Sequence, residues 1–219
     1  MHSAAILVGG RATRFGGRDK SALLVDGRAI LDRQIAALAL LTDDLLIVGG
    51  DVARSVPASA GEQDQRATAG LAGAPEARRR HGRVIPDIVP GCGPLGGLHA
   101  ALSAARGDAL FLVACDMPYV SSPFIAYLLS LSGEADIVVP RSERGYHPLC
   151  AVYTHACLEP AAARLADRRL TMRALVDSMR TRVVPIDEIR QFGDPDRLLA
   201  NVNTPADYAD LEALQGHKL

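Results

Sequence analysis

Short apolar runs closed by Gly, Asp or Pro alternate along this chain with amphipathic stretches of helical length, and that alternation restricts the architecture more than any other feature. A chain patterned this way folds as a layered α/β sheet, because segregated α and β regions would group like elements together. The first run, Ala4 to Val8, opens directly into a Gly/Arg-rich loop from Gly9 to Lys20. A helix is predicted from about Ala29 to Leu41, since Ile30, Leu31, Ile35, Leu38 and Leu41 recur at three- and four-residue spacing. Leu45 to Val48 reads as a second buried strand, Val84 to Asp87 as a short one, and Ala109 to Ala114 as the most hydrophobic of all. Between the last two, a glycine-rich turn should start a helix that runs to about Arg106. Beyond them the pattern predicts a helix over Pro123 to Leu131 and strands over Asp136 to Pro140 and Leu149 to Tyr153. Helices over Ala156 to Ala166 and Thr171 to Met179 follow, then a strand over Arg182 to Ile186 and a last helix after Thr204-Pro205.

The stretch from Val52 to Gly82 has no sustained apolar period and is long for a connection, so an exposed, mobile insertion is expected there. Its Arg78-Arg79-Arg80-His81 cluster reads first as solvated charge. No repeat or second core is visible in the 219 residues, which predicts a single domain over 1–219.

The charge balance, 24 Lys+Arg against 25 Asp+Glu, gives no global pull toward nucleic acid or an acidic membrane. With four Phe, five Tyr and no Trp, stacking platforms for single-stranded nucleic acid are scarce as well. Cys92, Cys115, Cys150 and Cys157 form no C-x-x-C pair, which disfavours a structural zinc site and predicts reduced thiols in a cytoplasmic protein. The run Ala4 to Val8 is too short for a signal or membrane segment.

Any anionic ligand must then be met locally, and the loop after the first strand has the means. Paired glycines at Gly9-Gly10 and Gly16-Gly17 let backbone N–H groups approach a phosphate, while Arg11, Arg14, Arg18 and Lys20 outweigh Asp19. The loop fits neither a P-loop nor a dinucleotide fingerprint. A flexible surface loop is the alternative, but the carboxyl ends of strands in α/β sheets are where ligands gather. Asp116 follows Ala109 to Ala114 and faces the same crevice. A carboxylate there can hold Mg²⁺, a hard cation that bridges to substrate phosphates, or can merely cap the helix beginning near Ser121. Asp87 ends a strand and has turn formation as its alternative. Gly91 to Gly97 brings glycines and Pro94 to a helix start, a positive end that can face an anion or simply make a tight turn. In Asn201-Val202-Asn203-Thr204-Pro205, capping explains Thr204 but not the two amides, which alternation directs to one side. His147, preceded by Arg141 and Arg144, lies between two strands, with a structural role as its alternative. No Ser/His/Asp or Cys/His spacing supports covalent catalysis.

Taken together, L-V-G-G-R-A-T-R-F-G-G-R-D-K, V-I-P-D…P-G-C-G-P-L-G-G-L, A-C-D-M-P and N-V-N-T-P resemble the MobA family of molybdenum cofactor guanylyltransferases, in order over nearly the whole chain. The resemblance implies a three-layer Rossmann-like nucleotidyltransferase fold with a mostly parallel central sheet and helices on both faces. It implies transfer of GMP from GTP to the terminal phosphate of molybdopterin, with pyrophosphate released. By the same resemblance Leu7, Val8, Gly9 and Gly10 hold the guanine nucleotide, Lys20 contacts the phosphates with Arg14 and Gly17 in the same loop, Asp87 binds nucleotide, and Asp116 ligates Mg²⁺. Asn201 and Asn203 match a pterin-side or second metal-side contact, while His147, read from its place between two strands and not from the resemblance, is expected to border the second substrate. The GTP side is then mainly 1–120 and the molybdopterin side mainly 121–219, with GTP and molybdopterin as the small-molecule partners and molybdoenzymes or their chaperones as transient ones. Nucleic acid and membrane are not expected partners. The chain departs from the family at Val8, where Ala is usual, at Val48-Gly49-Gly50-Asp51, where an Asn often follows the second strand, and in the length of the Val52 to Gly82 insertion.

Two competing readings stay open at this level. A related transferase would use CTP or another phosphorylated acceptor, and a silent nucleotide-binding module would lack turnover. The resemblance favours the guanylyl type, because Gly9-Gly10 and Gly93 to Gly97 look like that type, and the joint presence of Lys20 and Asp116 speaks for activity.

Overall fold

The computed structural model describes residues 1–8, 23–49, 82–202 and 207. Its strands are β1 (His2–Leu7), β2 (Leu24–Val25), β3 (Arg28–Ala29), β4 (Asp44–Val48), β5 (Arg83–Ile85), β6 (Ala109–Ala114), β7 (Ile137–Ser142), β8 (Gly145–Tyr146), β9 (Cys150–Thr154) and β10 (Thr181–Val184). Helices are α1 (Ile30–Leu38), α2 (Gly93–Ala104), α3 (Ser122–Ser130), α4 (Leu158–Ala166), α5 (Met172–Val176), α6 (Ile186–Ile189) and α7 (Pro195–Leu198). The main sheet runs β10-β7-β9-β6-β1-β4-β5, with β8 paired to β7. Neighbours along that path are parallel except β9, which lies antiparallel between β6 and β7.

Alternation in the strands divides the core into two halves. Ala4 and Ile6 of β1 and Phe111 and Val113 of β6 face α1 and α3, meeting Leu31, Leu38, Phe124 and Leu128. Ala5, Leu110 and Leu112 point the other way, toward Leu95, Leu98 and Leu102 of α2, Ala161 and Leu165 of α4, and α5. Helices thus cover both faces of the sheet, the three-layer arrangement expected. Each fully buried Leu or Phe contributes about 1.5–3 kcal/mol. β6 matches its expected limits because all six of its residues are buried.

Several expectations need adjusting. Asp87 lies beyond the strand, since β5 stops at Ile85 and Pro86 cannot donate to a ladder. The last predicted strand ends at Val184. Ile186 instead opens α6, where Asp187 and Glu188 suit the positive first turn. The β2–β3 hairpin was not expected; its turn is Asp26-Gly27, both at positive φ (51° and 73°), the geometry that an Asp-Gly pair adopts in a two-residue hairpin loop. The expected mobile insertion and its Arg78-Arg79-Arg80-His81 cluster lie outside the described residues, apart from Gly82. So does the last helix apart from Asp207, which is helical.

Candidate active site at the carboxyl edge of the sheet

Register places the carboxyl ends of four strands side by side. Leu7 is level with Val48 of β4 and Ala114 of β6, and Val48 with Ile85 of β5. The residues that follow leave the sheet at one edge. The Val8 N–H donates to the Val48 carbonyl at 2.8 Å, Gly49 to Ile85 at 3.2 Å, and Cys115 to Leu7 at 3.0 Å. Val8 and Gly49 are so close that a Cβ on Gly49 would lie 1.6 Å from the Val8 carbonyl oxygen. A side chain after β4, such as the asparagine common in the family, therefore has no room at this position. Leu7 in turn packs on α2, where a Cβ at Gly97 would meet its Cδ2 at 2.8 Å.

Asp116 emerges half-buried from the end of β6. It does not cap α3: that helix begins at Ser122 with Ser121 at its N-cap, five residues further on. Two polar side chains of α1 hold the turn that carries it. The Gln34 amide, only 4% exposed, donates to the carbonyls of Ala114 at 2.7 Å and Met117 at 2.9 Å, and Arg33 Nε donates to Pro118 at 3.2 Å. Arg33 Nη1 also reaches the Val25 carbonyl at 3.2 Å and Asp26 at 3.0 Å, tying the β2–β3 hairpin to the same turn. Neither residue was singled out from the sequence, where their partners in the Asp116 turn lie some eighty positions away.

Asn201 is drawn to the same place, because the neighbouring Val202 N–H donates to the Asp116 carbonyl at 2.8 Å. The Asn201 side chain is exposed. Asp87, two residues past β5, is partly buried, and burial raises its pKa above the usual carboxylate value.

His147 reaches the edge from the other half of the sheet. β9 runs opposite to β6, so its start lies at the carboxyl end of β6, and the Ala114 N–H donates to the Leu149 carbonyl at 2.9 Å. The His147 N–H is held by the Pro140 carbonyl at 2.9 Å and its Nε2 lies 2.8 Å from Ser142 Oγ. Burial, with the Arg144 charge nearby, lowers its pKa and favours neutral imidazole. Arg141 and Arg173 both lie over the Tyr146 ring, their guanidinium carbons 5.6 and 6.0 Å from its centroid, so this flank carries positive charge.

Among the described site residues, Leu7, Val8, Asp87, Asp116, His147 and Asn201 are thus all delivered to one edge. Gly9, Gly10, Arg14, Gly17, Lys20 and Asn203 lie outside the described residues. All four cysteines are free and buried, and burial pushes the Cys150 and Cys157 thiols up to about 12. No group of three or more His, Cys, Asp or Glu that could hold a metal occurs among the described residues, and none of their helices is long and apolar enough to cross a membrane.

A curated relative from Pelotomaculum thermopropionicum, named a probable molybdenum cofactor guanylyltransferase, is 31% identical over 94% of this chain and 89% of its own. One from Desulfosudis oleivorans, named molybdenum cofactor guanylyltransferase, is 30% identical over 95% and 93%. The crystal structure of molybdopterin-guanine dinucleotide biosynthesis protein A from Archaeoglobus fulgidus superposes with a TM-score of 0.75, covering 99% of each chain at 20% identity, a likeness of fold. The MobA-like NTP transferase domain model matches residues 4–183, a span holding both the glycine loop and the Asp116 turn, and the chain belongs to that nucleotidyltransferase family.

Proposed function

We propose that the chain transfers GMP from GTP to the terminal phosphate of molybdopterin, yielding the guanine dinucleotide form of the cofactor and pyrophosphate. The observation that carries this reading is the delivery of Val8, Asp87, Asp116, His147 and Asn201 to a single sheet edge in a member of this family. The whole chain acts as one nucleotidyltransferase domain, with GTP handled mainly by 1–120 and molybdopterin mainly by 121–219. On the first side Leu7, Val8, Gly9 and Gly10 present backbone to the guanine nucleotide, Arg14 and Lys20 neutralise its phosphates, and Asp87 binds the nucleotide. On the second, His147, Asn201 and Asn203 orient the pterin phosphate.

A divalent cation, Mg²⁺ in this proposal, fits the donors present. Asp116 offers hard carboxylate oxygen, and one such ligand leaves positions for phosphate oxygens and water, as Mg²⁺ prefers. Bound there, the cation would offset charge on the α-phosphate as the acceptor phosphate attacks it. The protein's share is alignment. Two anions must meet in line, so the loop cations and the fixed Asp116 turn contribute by positioning and by electrostatics arranged beforehand. A neutral His147 suits a hydrogen-bonding role toward phosphate rather than that of a fixed counter-charge. We place the reaction in the cytoplasm, with molybdoenzymes or their chaperones as transient recipients of the product.

The test is pyrophosphate release by the purified protein supplied with GTP, molybdopterin and Mg²⁺. Turnover with GTP well above that with CTP supports the reading. Preference for CTP reassigns the nucleotide, and intact GTP binding without pyrophosphate release makes the chain a silent binding module.

A further inference from the structure

We infer that Gln34 is a positioning residue for the metal-binding turn, setting the direction of the Asp116 carboxylate through the backbone on both sides of it. The inference rests on the assignment of Asp116 as metal ligand. Gln34 lies in the buried stripe of α1, where the amphipathic pattern calls for an apolar side chain. The space around it is lined by Ala37, Leu38, Phe111, Val113, Val120 and Ile125, none of which can hydrogen-bond through its side chain. A buried amide in such surroundings is costly unless its groups are paired.

Its pairing is specific. Both neighbours of the amide are carbonyl oxygens, which only accept, so the NH₂ end must face them and both of its hydrogens are used. The Ala114 carbonyl also accepts from the Met117 N–H at 3.3 Å, which closes the turn around Cys115 and Asp116. One side chain thus grips both ends of that turn, and the Val202 N–H binds the Asp116 carbonyl between them. At the other end of the amide, Gln34 Oε1 is buried with no hydrogen-bond partner among the described residues. An apolar residue would have avoided that penalty, whereas the NH₂ contacts require an amide. Arg33, the preceding residue on α1, holds Pro118 and the β2–β3 hairpin, so the same helix links the exit of the glycine loop to the Asp116 turn.

Two near-isosteric variants separate positioning from packing. Gln34→Met keeps the volume and removes both donors; Gln34→Glu sets a carboxylate against two carbonyls. Leu38→Ala, on the same helix and in the same apolar space, serves as a packing control. The readouts are amide hydrogen exchange at 115–117, Mn²⁺ binding followed by electron paramagnetic resonance in the presence of GTP, and separate kcat and KM values. In Gln34→Met, exchange at 115–117 should accelerate about tenfold, Mn²⁺ affinity should fall about 5- to 20-fold, and kcat should fall with little change in the KM for GTP. Gln34→Glu should do more in each respect. Leu38→Ala should lower the melting temperature without a selective change at 115–117. Unchanged exchange at 115–117 in Gln34→Met, or an equal change in Leu38→Ala, overturns the inference. If Asp116→Ala binds Mn²⁺ as tightly as the native protein, the metal assignment fails by itself, and the exchange data still decide whether Gln34 holds the turn.

Discussion

The two edges of the sheet are built on opposite principles. At the amino edge, Ser3 and Asp44, both buried, form a closed network. Ser3 Oγ donates to Asp44 at 2.6 Å, Arg83 binds the other carboxylate oxygen at 2.7 Å, and the N–H groups of Arg106 and Gly107 donate to Asp44 and Ser3 at 2.8 Å each. Arg83 continues to the Ala104 carbonyl at 2.7 Å, which fixes the end of α2. Burial alone would raise the Asp44 pKa, but Ser3, Arg106 and Arg83 together hold it below the ordinary carboxylate value. At the carboxyl edge, side chains capable of chemistry are held mostly through their backbone. Asp116, His147 and Asn201 owe their places largely to carbonyl and N–H contacts of the turns around them, with His147 Nε2 also against Ser142 Oγ. At the amino edge side chains hold one another, whereas at the carboxyl edge the hold is mostly on backbone.

The largest expected effect breaks the carboxyl edge. Asp116→Ala should lower kcat by about 10²–10³ in pyrophosphate release while leaving the thermal melt near native, on the scale of losing one transition-state charge partner. A variant with native Mg²⁺-dependent turnover would remove Asp116 from the site. The converse holds at the amino edge. Asp44→Ala should cost roughly 3 kcal/mol in denaturant unfolding, since Arg83, the Ser3 hydroxyl and an amide lose their shared partner, yet kcat of the folded fraction should stay within about twofold. The same network predicts an acid limb: with its folded pKa lowered, Asp44 contributes stability present above about pH 4 and lost as pH falls through the lowered value. Gly49→Ala lies between these cases. Its Cβ would collide with the Val8 carbonyl, so we expect a loss of about 1–3 kcal/mol together with weaker GTP binding, read by unfolding and by KM. The smallest effect belongs to His147. A histidine kept neutral by burial stabilises the fold above its unfolded pKa of about 6.5, and that contribution declines as pH falls from there toward the lowered folded value. Titrating stability against pH in His147→Gln should flatten that slope; an unchanged slope assigns it to other groups.

Legibility in the sequence followed burial and locality. β6 was legible to the residue because all its positions are buried and apolar; α1, α3 and α4 were legible as helices, with ends displaced by up to three residues, because their apolar spacing spans two turns or more. The two-residue strands β2, β3 and β8 are too short to show alternation, and the Asp26-Gly27 pair, the turn signal that could have marked the first hairpin, was passed over. Asp116 could be located because a polar residue directly after a buried strand must leave the sheet at that strand's end. Gln34 could not: a polar residue inside an apolar stripe does not announce a partner, and its carbonyl contacts at Ala114 and Met117 exist only after α1 has packed against β6.

The reversed strand β9 has a further consequence for how such a site can vary. In a wholly parallel sheet each connection must leave one edge and return to the other, so a strand contributes a single junction to the ligand side. Because β9 runs backward, the chain between the end of β7 and the start of β9 stays on the carboxyl side throughout, and it brings Tyr146 and His147 there in one short excursion, beside Arg141 near the end of β7. That excursion carries its residues outside the pairing of β1, β4 and β6. On the proposed function, the hairpin beside the acceptor phosphate can therefore change in length or charge apart from the strands that present the nucleotide.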